Sequence, residues 1–225
     1  MVAIRKNDYA YPEAAKETAN DAFAEVAQNG DWRYSEAAYL ALEAASGFKH
    51  EYMRGEIYAM AGASRKHNII ASNIHGQLYN QLRETSCELY QADMKVRVEA
   101  TATNTYPDMV VVCDEPQFMP ERPDTLTNPT VLFEVLSPST ADYDRGRKFE
   151  DYRLLPSLKE YVIVAQDKMH IEHYTRQDDG SWLLRDINAA DATLSLATIG
   201  CELPIADIYA KVAFATAQPQ ENTNR

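Results

Sequence analysis

The chain has 225 residues and a formal net charge of −12, which allows one ample core and disfavours a sequence-independent grip on nucleic acid, since phosphate binding needs a basic footprint. Apolar residues make up 45% and charged residues 25%, values of an ordinary globular domain without an apolar run long enough to cross a bilayer. With no secretory stretch at Met1 to Asn7 either, the expectation is a cytoplasmic protein with no membrane partner.

Residues 1–31 are rich in Ala, Asn and Glu, carry no sustained apolar stripe, and read as an N-terminal extension with a weak helix over Ala14 to Ala27. Ser35 then caps a predicted helix running to Ala45, with Tyr39 and Leu42 on one face and Gly47 past its end. Lys49 to Met60 predicts a hairpin turning at Arg54-Gly55, flanked by Glu51 and Glu56. From Ser64 to Glu84, Ile70, Ile74, Leu78 and Leu82 recur every four residues, the stripe of an amphipathic helix capped by Ser64.

Leu89 to Val98 predicts one or two strands, followed by a polar link through Asn104. Two apolar runs with a carboxylate come next. Asp108 precedes Met109 to Val112, and Glu134 interrupts Val131 to Leu136. A carboxylate placed there must be paired, protonated or metal-bound. The segment between them, Asp114 to Asn128, contains Pro116, Pro120 and Pro123 and is expected to lack regular structure. A helix from about Asp142 to Leu154 stops at Pro156, and Lys159 to Ala165 is a strand. His170 to Tyr174 and Trp182 to Asp186 form a second hairpin around Asp178-Asp179-Gly180, a strand lies near Leu194, Leu203 to Val212 is a short closing helix, and residues 213–225 form a disordered tail. This order describes an α/β domain over residues 32–212, with a mixed central sheet flanked by helices. Cys87, Cys113 and Cys201 are odd in number and widely spaced, which predicts reduced thiols.

Asp108 and Glu134 are the leading candidates for a metal site, because magnesium takes hard oxygen ligands and one or two carboxylates from a protein. Phosphodiester hydrolysis needs the charge neutralisation and activated water that such a site supplies. A lysine sharing the face of Glu134 would stand at 136, which holds Leu136. Either the site is inactive or the lysine comes from elsewhere, and Lys148 on the next helix is the candidate; the competing reading is an i,i+4 salt bridge between Asp144 and Lys148. Glu51 could complete the set from the early hairpin, or be an exposed hairpin carboxylate. His67 and Lys66 are candidate phosphate contacts, against a plain solvated face. His75 reads as a packed histidine, and His170 and His173 receive no role. No GxSxG, Walker loop, GxGxxG or HExxH is present.

The order Lys49-His50-Glu51-Tyr52, Gly55-Glu56-Ile57-Tyr58, Ser64, His67, Tyr106-Pro107-Asp108, Phe133-Glu134-Val135-Leu136-Ser137-Pro138-Ser139-Thr140, Lys148 and Tyr152 resembles the Uma-two family of the PD-(D/E)XK restriction-endonuclease-like superfamily. The resemblance spans about residues 34–212. It implies a restriction-endonuclease-like core, a homodimer, and magnesium-dependent nuclease chemistry on nucleic acid, DNA foremost, with manganese as a substitute ion. Carried over by position, it makes Asp108 and Glu134 the metal-binding acids, Glu51 the additional acid and Lys148 a relocated lysine, while Glu134-Val135-Leu136 departs from the superfamily's acid-x-Lys. The alternative is a catalytically degenerate nuclease fold serving binding or assembly.

Overall fold

The computed structural model describes residues 33–60, 62–120, 122–137 and 141–214. The expected extension over residues 1–31, its weak helix, and nearly all of the expected tail lie outside these residues.

Helix α1 (Glu36–Ala45) starts where the Ser35 side chain accepts a hydrogen bond from the Ala38 N–H at 3.1 Å. Strands β1 (His50–Met53) and β2 (Glu56–Ala59) form the expected hairpin. Its turn places both Arg54 (φ 50°) and Gly55 (φ 95°) in the left-handed region, where glycine is the least strained residue. Helix α2 (Arg65–Leu82) carries the four-residue stripe inward, and Ile70, Ile74, Leu78 and Leu82 are all buried. Strands β3 (Glu88–Gln91), β4 (Lys95–Val98), β5 (Thr103–Thr105), β6 (Met109–Val112), β7 (Phe118–Met119), β8 (Arg122–Leu126) and β9 (Val131–Val135) follow.

Then comes one interrupted helical segment: α3 (Ala141–Tyr143), a π-turn (Asp144–Lys148) and α4 (Phe149–Tyr152). Strands β10 (Glu160–Val164), β11 (Ile171–Arg176), β12 (Trp182–Ile187), β13 (Thr193–Leu196) and β14 (Cys201–Pro204) precede a final turn of helix, α5 (Ile205–Ile208).

The strands build two six-stranded sheets, β2-β1-β5-β4-β8-β7 and β12-β11-β10-β9-β6-β3, plus the β13-β14 hairpin. In the second sheet β9 and β10 run parallel and the other pairs are antiparallel, so the sheet is mixed as expected. Period-two alternation divides its residues between two cores. Met109, Val111, Val131, Phe133 and Val135 pack against the α2 stripe and the β13-β14 hairpin. Val110, Val112, Leu132 and Leu136 face the other way, against Tyr152, Leu155 and Tyr161 and against Val96, Val98 and Leu126 of the first sheet. Each fully buried aliphatic side chain here contributes roughly 1.5–3 kcal/mol.

Several expectations are corrected. The polar link before Asp108 contains β5, whose Asn104 pairs with Tyr52 of β1; polar side chains are accommodated because Asn104 bonds Glu36 and Thr105 bonds Tyr152. The proline-rich segment holds β7 and β8, with Pro123 outside the Thr125 and Leu126 rungs that join β8 to β4, so its missing N–H costs no ladder bond there. The helix after Glu134 is broken by the π-turn and ends at Tyr152. At the C-terminal end, residues 201–204 pair with β13 as a strand, and α5 is shorter than the expected helix because Leu203 is claimed by that pairing with Leu194.

The cysteine expectation also fails in part: Cys87 and Cys113 form a disulfide, while Cys201 is free and buried. Strand β3 pairs antiparallel with β6 through Glu88 and Val112, so the next rung sets the two cysteines opposite each other. His75 is half-buried, stacked on Tyr79, and not a core residue. His170 and His173, which received no role, pair with Asp186 at 2.9 Å and Glu160 at 2.5 Å, carboxylates supplied across strands β12 and β10.

A candidate active site between the two sheets

Strands β6 and β9 lie side by side, with Met109 opposite Phe133. The next position along places Asp108 opposite Glu134, just before β6 begins. Past that point the Val135 N–H has no β6 partner, and Asp108 Oδ2 accepts its hydrogen bond at 2.7 Å. The carboxylate thus caps an open ladder position. Asp108 Oδ1 meets His67 Nε2 at 3.0 Å. His67 is carried there by the first turn of α2, where its N–H donates to Ser64 Oγ. The Ser64 hydroxyl donates to Gln166 Oε1, and the Gln166 amide donates to the Leu136 carbonyl at 2.7 Å, tying the start of α2 to the end of β9.

Glu134 points into the space between the sheets. Its Oε1 accepts from Lys148 Nζ at 3.0 Å and from the Tyr152 hydroxyl at 3.0 Å. Lys148 also lies 3.0 Å from Glu51 Oε1 and 3.2 Å from Asp144 Oδ1. Glu51 comes from the other sheet, and its Oε1 also accepts the Tyr106 N–H at 3.0 Å, next to Pro107-Asp108. One ammonium therefore joins three carboxylates from two sheets and a helix, with Lys148 3%, Glu51 0% and Glu134 4% exposed. The two readings of Lys148 coexist: the i,i+4 pair with Asp144 forms, and so does the bond to Glu134.

The charges do not balance. Burial pushes the Glu134 carboxyl well above the usual range; Lys148 opposes this, and the charges of Asp144, Asp108 and Glu51 add to it. Burial likewise raises Glu51, with Lys148 opposing. For Lys148, burial works against the ammonium, yet Glu134, Glu51 and Asp144 together hold its pKa well above the ordinary lysine value. The lysine stays charged, and the acids around it remain short of positive charge.

That shortage is the test of whether a cation fits. Asp108 and Glu134 offer hard oxygens on adjacent strands, the donor chemistry magnesium takes, and an added cation would relieve the repulsion that raises Glu134. Among the described residues no group of three or more His, Cys, Asp or Glu side chains is arranged to hold a metal. A divalent ion would thus have two protein carboxylates and complete its shell with water, as magnesium commonly does.

The structure brings Glu51, Asp108, Glu134, Lys148 and His67 together and removes the exposed-carboxylate reading of Glu51. Lys66 is placed differently, with its ammonium 5.8 Å from the Phe214 ring centroid. Sequence reasoning gave no site role to Asp144, Tyr143 or Tyr152. The spacing 144, 148, 152 on one helical segment is the signal that could have found two of them. Farther out, Arg147 bonds Glu56 and the Tyr58 hydroxyl, and Arg145 lies 2.7 Å from Glu172, so the basic cluster beside Lys148 is paired with acids.

Comparison with known proteins agrees with this architecture. A chain 38% identical over 184 residues, "Uncharacterized protein slr1290" of Synechocystis, covers 81% of this chain and 94% of its own length. A second Synechocystis protein, "Uncharacterized protein sll1609", is 34% identical over 158 residues, covering 70% and 89%. Among solved structures, the crystal structure of "a putative nuclease belonging to DUF820" from Anabaena variabilis superposes with a TM-score of 0.58 at 16% identity, over 73% of this chain and 91% of that one, a likeness of fold. The Uma2 family, described as "Putative restriction endonuclease", matches residues 37–206, which include Glu51, Asp108, Glu134 and Lys148, and the chain belongs to that family.

Proposed function

We propose that this chain is a magnesium-dependent endonuclease, with manganese as a substitute ion, that hydrolyses phosphodiester bonds of nucleic acid, DNA foremost. The observation that carries the reading is Lys148 Nζ at 3.0 Å from Glu134 Oε1. A lysine from the helix reaches the acid that Leu136, at the usual lysine position, cannot serve, which supports a relocated lysine. The Uma2 membership supports the same reaction class.

Asp108 and Glu134 would hold the cation, which supplies charge neutralisation at the phosphoryl group and a more acidic bound water. Lys148 keeps Glu134 and Glu51 fixed and would lend its charge to the reacting phosphate. Glu51, with its carboxyl raised by burial, suits proton acceptance. Burial lowers the His67 pKa, but the hydrogen bond and charge of Asp108 outweigh it and raise the value, favouring the cation that a phosphate contact needs.

The test is magnesium calorimetry on wild type, Asp108→Asn and Glu134→Gln, with nicking of supercoiled plasmid measured in parallel. Binding in wild type that both substitutions abolish, with loss of nicking, is the expected result. Binding without nicking on DNA or RNA refutes the enzyme.

A second reading, an assembly module with a degenerate site, is favoured by one observation: Lys148 already pairs with three acids, as a purely structural buried cluster would. It predicts no magnesium shift in melting temperature. The homodimer the family resemblance implies is tested separately by sedimentation equilibrium.

A further inference from the structure

Two buried polar atoms in the cluster have no hydrogen-bond partner among the described residues: Glu51 Oε2 and the Tyr143 hydroxyl. Glu51 is fully buried, and its other oxygen is already engaged by Lys148 and the Tyr106 N–H. Tyr143 immediately precedes the π-turn that delivers Lys148. Its ring centroid lies 5.5 Å from Lys148 Nζ, and it packs on Tyr58 with centroids 5.2 Å apart. Both side chains that carry an orphaned atom therefore flank the same ammonium.

A buried carboxylate oxygen or phenol left unpaired costs about 1–3 kcal/mol, so native structures keep such atoms where a ligand satisfies them. The ligand must donate to Glu51 and accept from Tyr143. A phosphoryl oxygen only accepts and would be repelled by the carboxylate. Water does both.

We infer that Tyr143 and Glu51 jointly position the attacking water, the phenol donating to its oxygen and Glu51 Oε2 accepting its proton. This deepens the hydrolase reading above and rests on it. In the step, the water oxygen forms the new O–P bond while one of its protons passes to Glu51. The bond from phosphorus to the leaving ester oxygen breaks, that oxygen keeps the electron pair and takes a proton from solvent, and Glu51 later returns its proton to solvent. One water is consumed per bond cleaved. Burial, and after it the charge of Glu51, push the Tyr143 pKa well above the usual tyrosine value, which keeps the phenol protonated as a donor.

The test is a cycle of Tyr143→Phe, Glu51→Gln and the double variant, read by plasmid nicking with magnesium and by thermal melting. Tyr143→Phe is expected to lower kcat about tenfold, the equivalent of one hydrogen bond, with KM and calorimetric magnesium affinity unchanged. The double variant should lose no more than Glu51→Gln alone, and the melting shifts should be non-additive. A wild-type kcat in Tyr143→Phe, or losses that multiply, overturns the inference. If the wild type nicks no nucleic acid, the nuclease reading fails, and the melting cycle still decides whether the two atoms share a ligand: additive shifts refute it. Should Glu51→Gln not fold, a high-resolution crystal structure of the wild type replaces the cycle, and the absence of a water within hydrogen-bond distance of both atoms refutes the pairing.

Discussion

Replacing Lys148 by Met removes the ammonium that faces Glu51, Glu134 and Asp144, at 3.0, 3.0 and 3.2 Å, while keeping the aliphatic volume. Breaking one buried pair from one side costs about 3–5 kcal/mol, and here three acids lose their partner together. The pH dependence sharpens the expectation. Glu134 and Glu51 have folded pKa values above the ordinary 4.5, so their contribution to stability is present below that value and declines as pH rises through the folded pKa. Without Lys148 the native cluster must take up a further proton, and each pH unit then costs about 1 to 1.5 kcal/mol. Between pH 5 and pH 8 the variant should lose roughly 4 kcal/mol more than the wild type does. Urea unfolding of both proteins at the two pH values measures this. A variant as stable as wild type at pH 8, or one more damaged at pH 5, refutes the charge account.

His67 should titrate above 6.5 by NMR, its stabilising contribution being full below that value and lost as pH rises through the folded pKa; in Asp108→Asn the midpoint should fall, because burial then acts without its partner. An unchanged midpoint would break the link between the two. Replacing Cys87 and Cys113 by Ser opens a loop with a sequence separation of 26 and should cost about 3 kcal/mol in urea unfolding; a loss under about 1 kcal/mol would mean the bridge constrains little. Gly55→Ala should cost about 2 kcal/mol or more, since φ is +95° and the new Cβ would stand 2.5 Å from Arg33 Cβ; a neutral melting temperature would refute the tight turn.

The sequence made α1, the first hairpin, α2 and the acid-bearing strands legible because their signals are local: a Ser35 cap, a Gly55 turn, a four-residue apolar stripe, and unbroken Val and Leu runs. Asp108 and Glu134 stood out because an acid beside such a run is costly. The rest depended on long-range pairing. Strand β5 is Thr-Asn-Thr, with no apolar alternation to betray it, and becomes a strand because β1 and β4 flank it. Strand β8 pairs with β4 on its last two residues only, so Pro123 misled. The disulfide required knowing that β3 registers on β6. On spacing alone Glu51 read first as an exposed hairpin carboxylate, because nothing within the hairpin says that the second sheet lies against it.

The site's parts are spread from residue 51 to residue 148, and the strands of the two sheets alternate along the chain. During synthesis from the N-terminus, Glu51 and Glu134 leave the ribosome before Lys148, the ammonium that pairs with both. Any early association of their strands would bring acids together without a counter-charge. The cluster can therefore close only once the helical segment after β9 is available, which makes its assembly late relative to the strands that carry the acids. A chain interrupted before Lys148 would carry the acids but not the assembled centre.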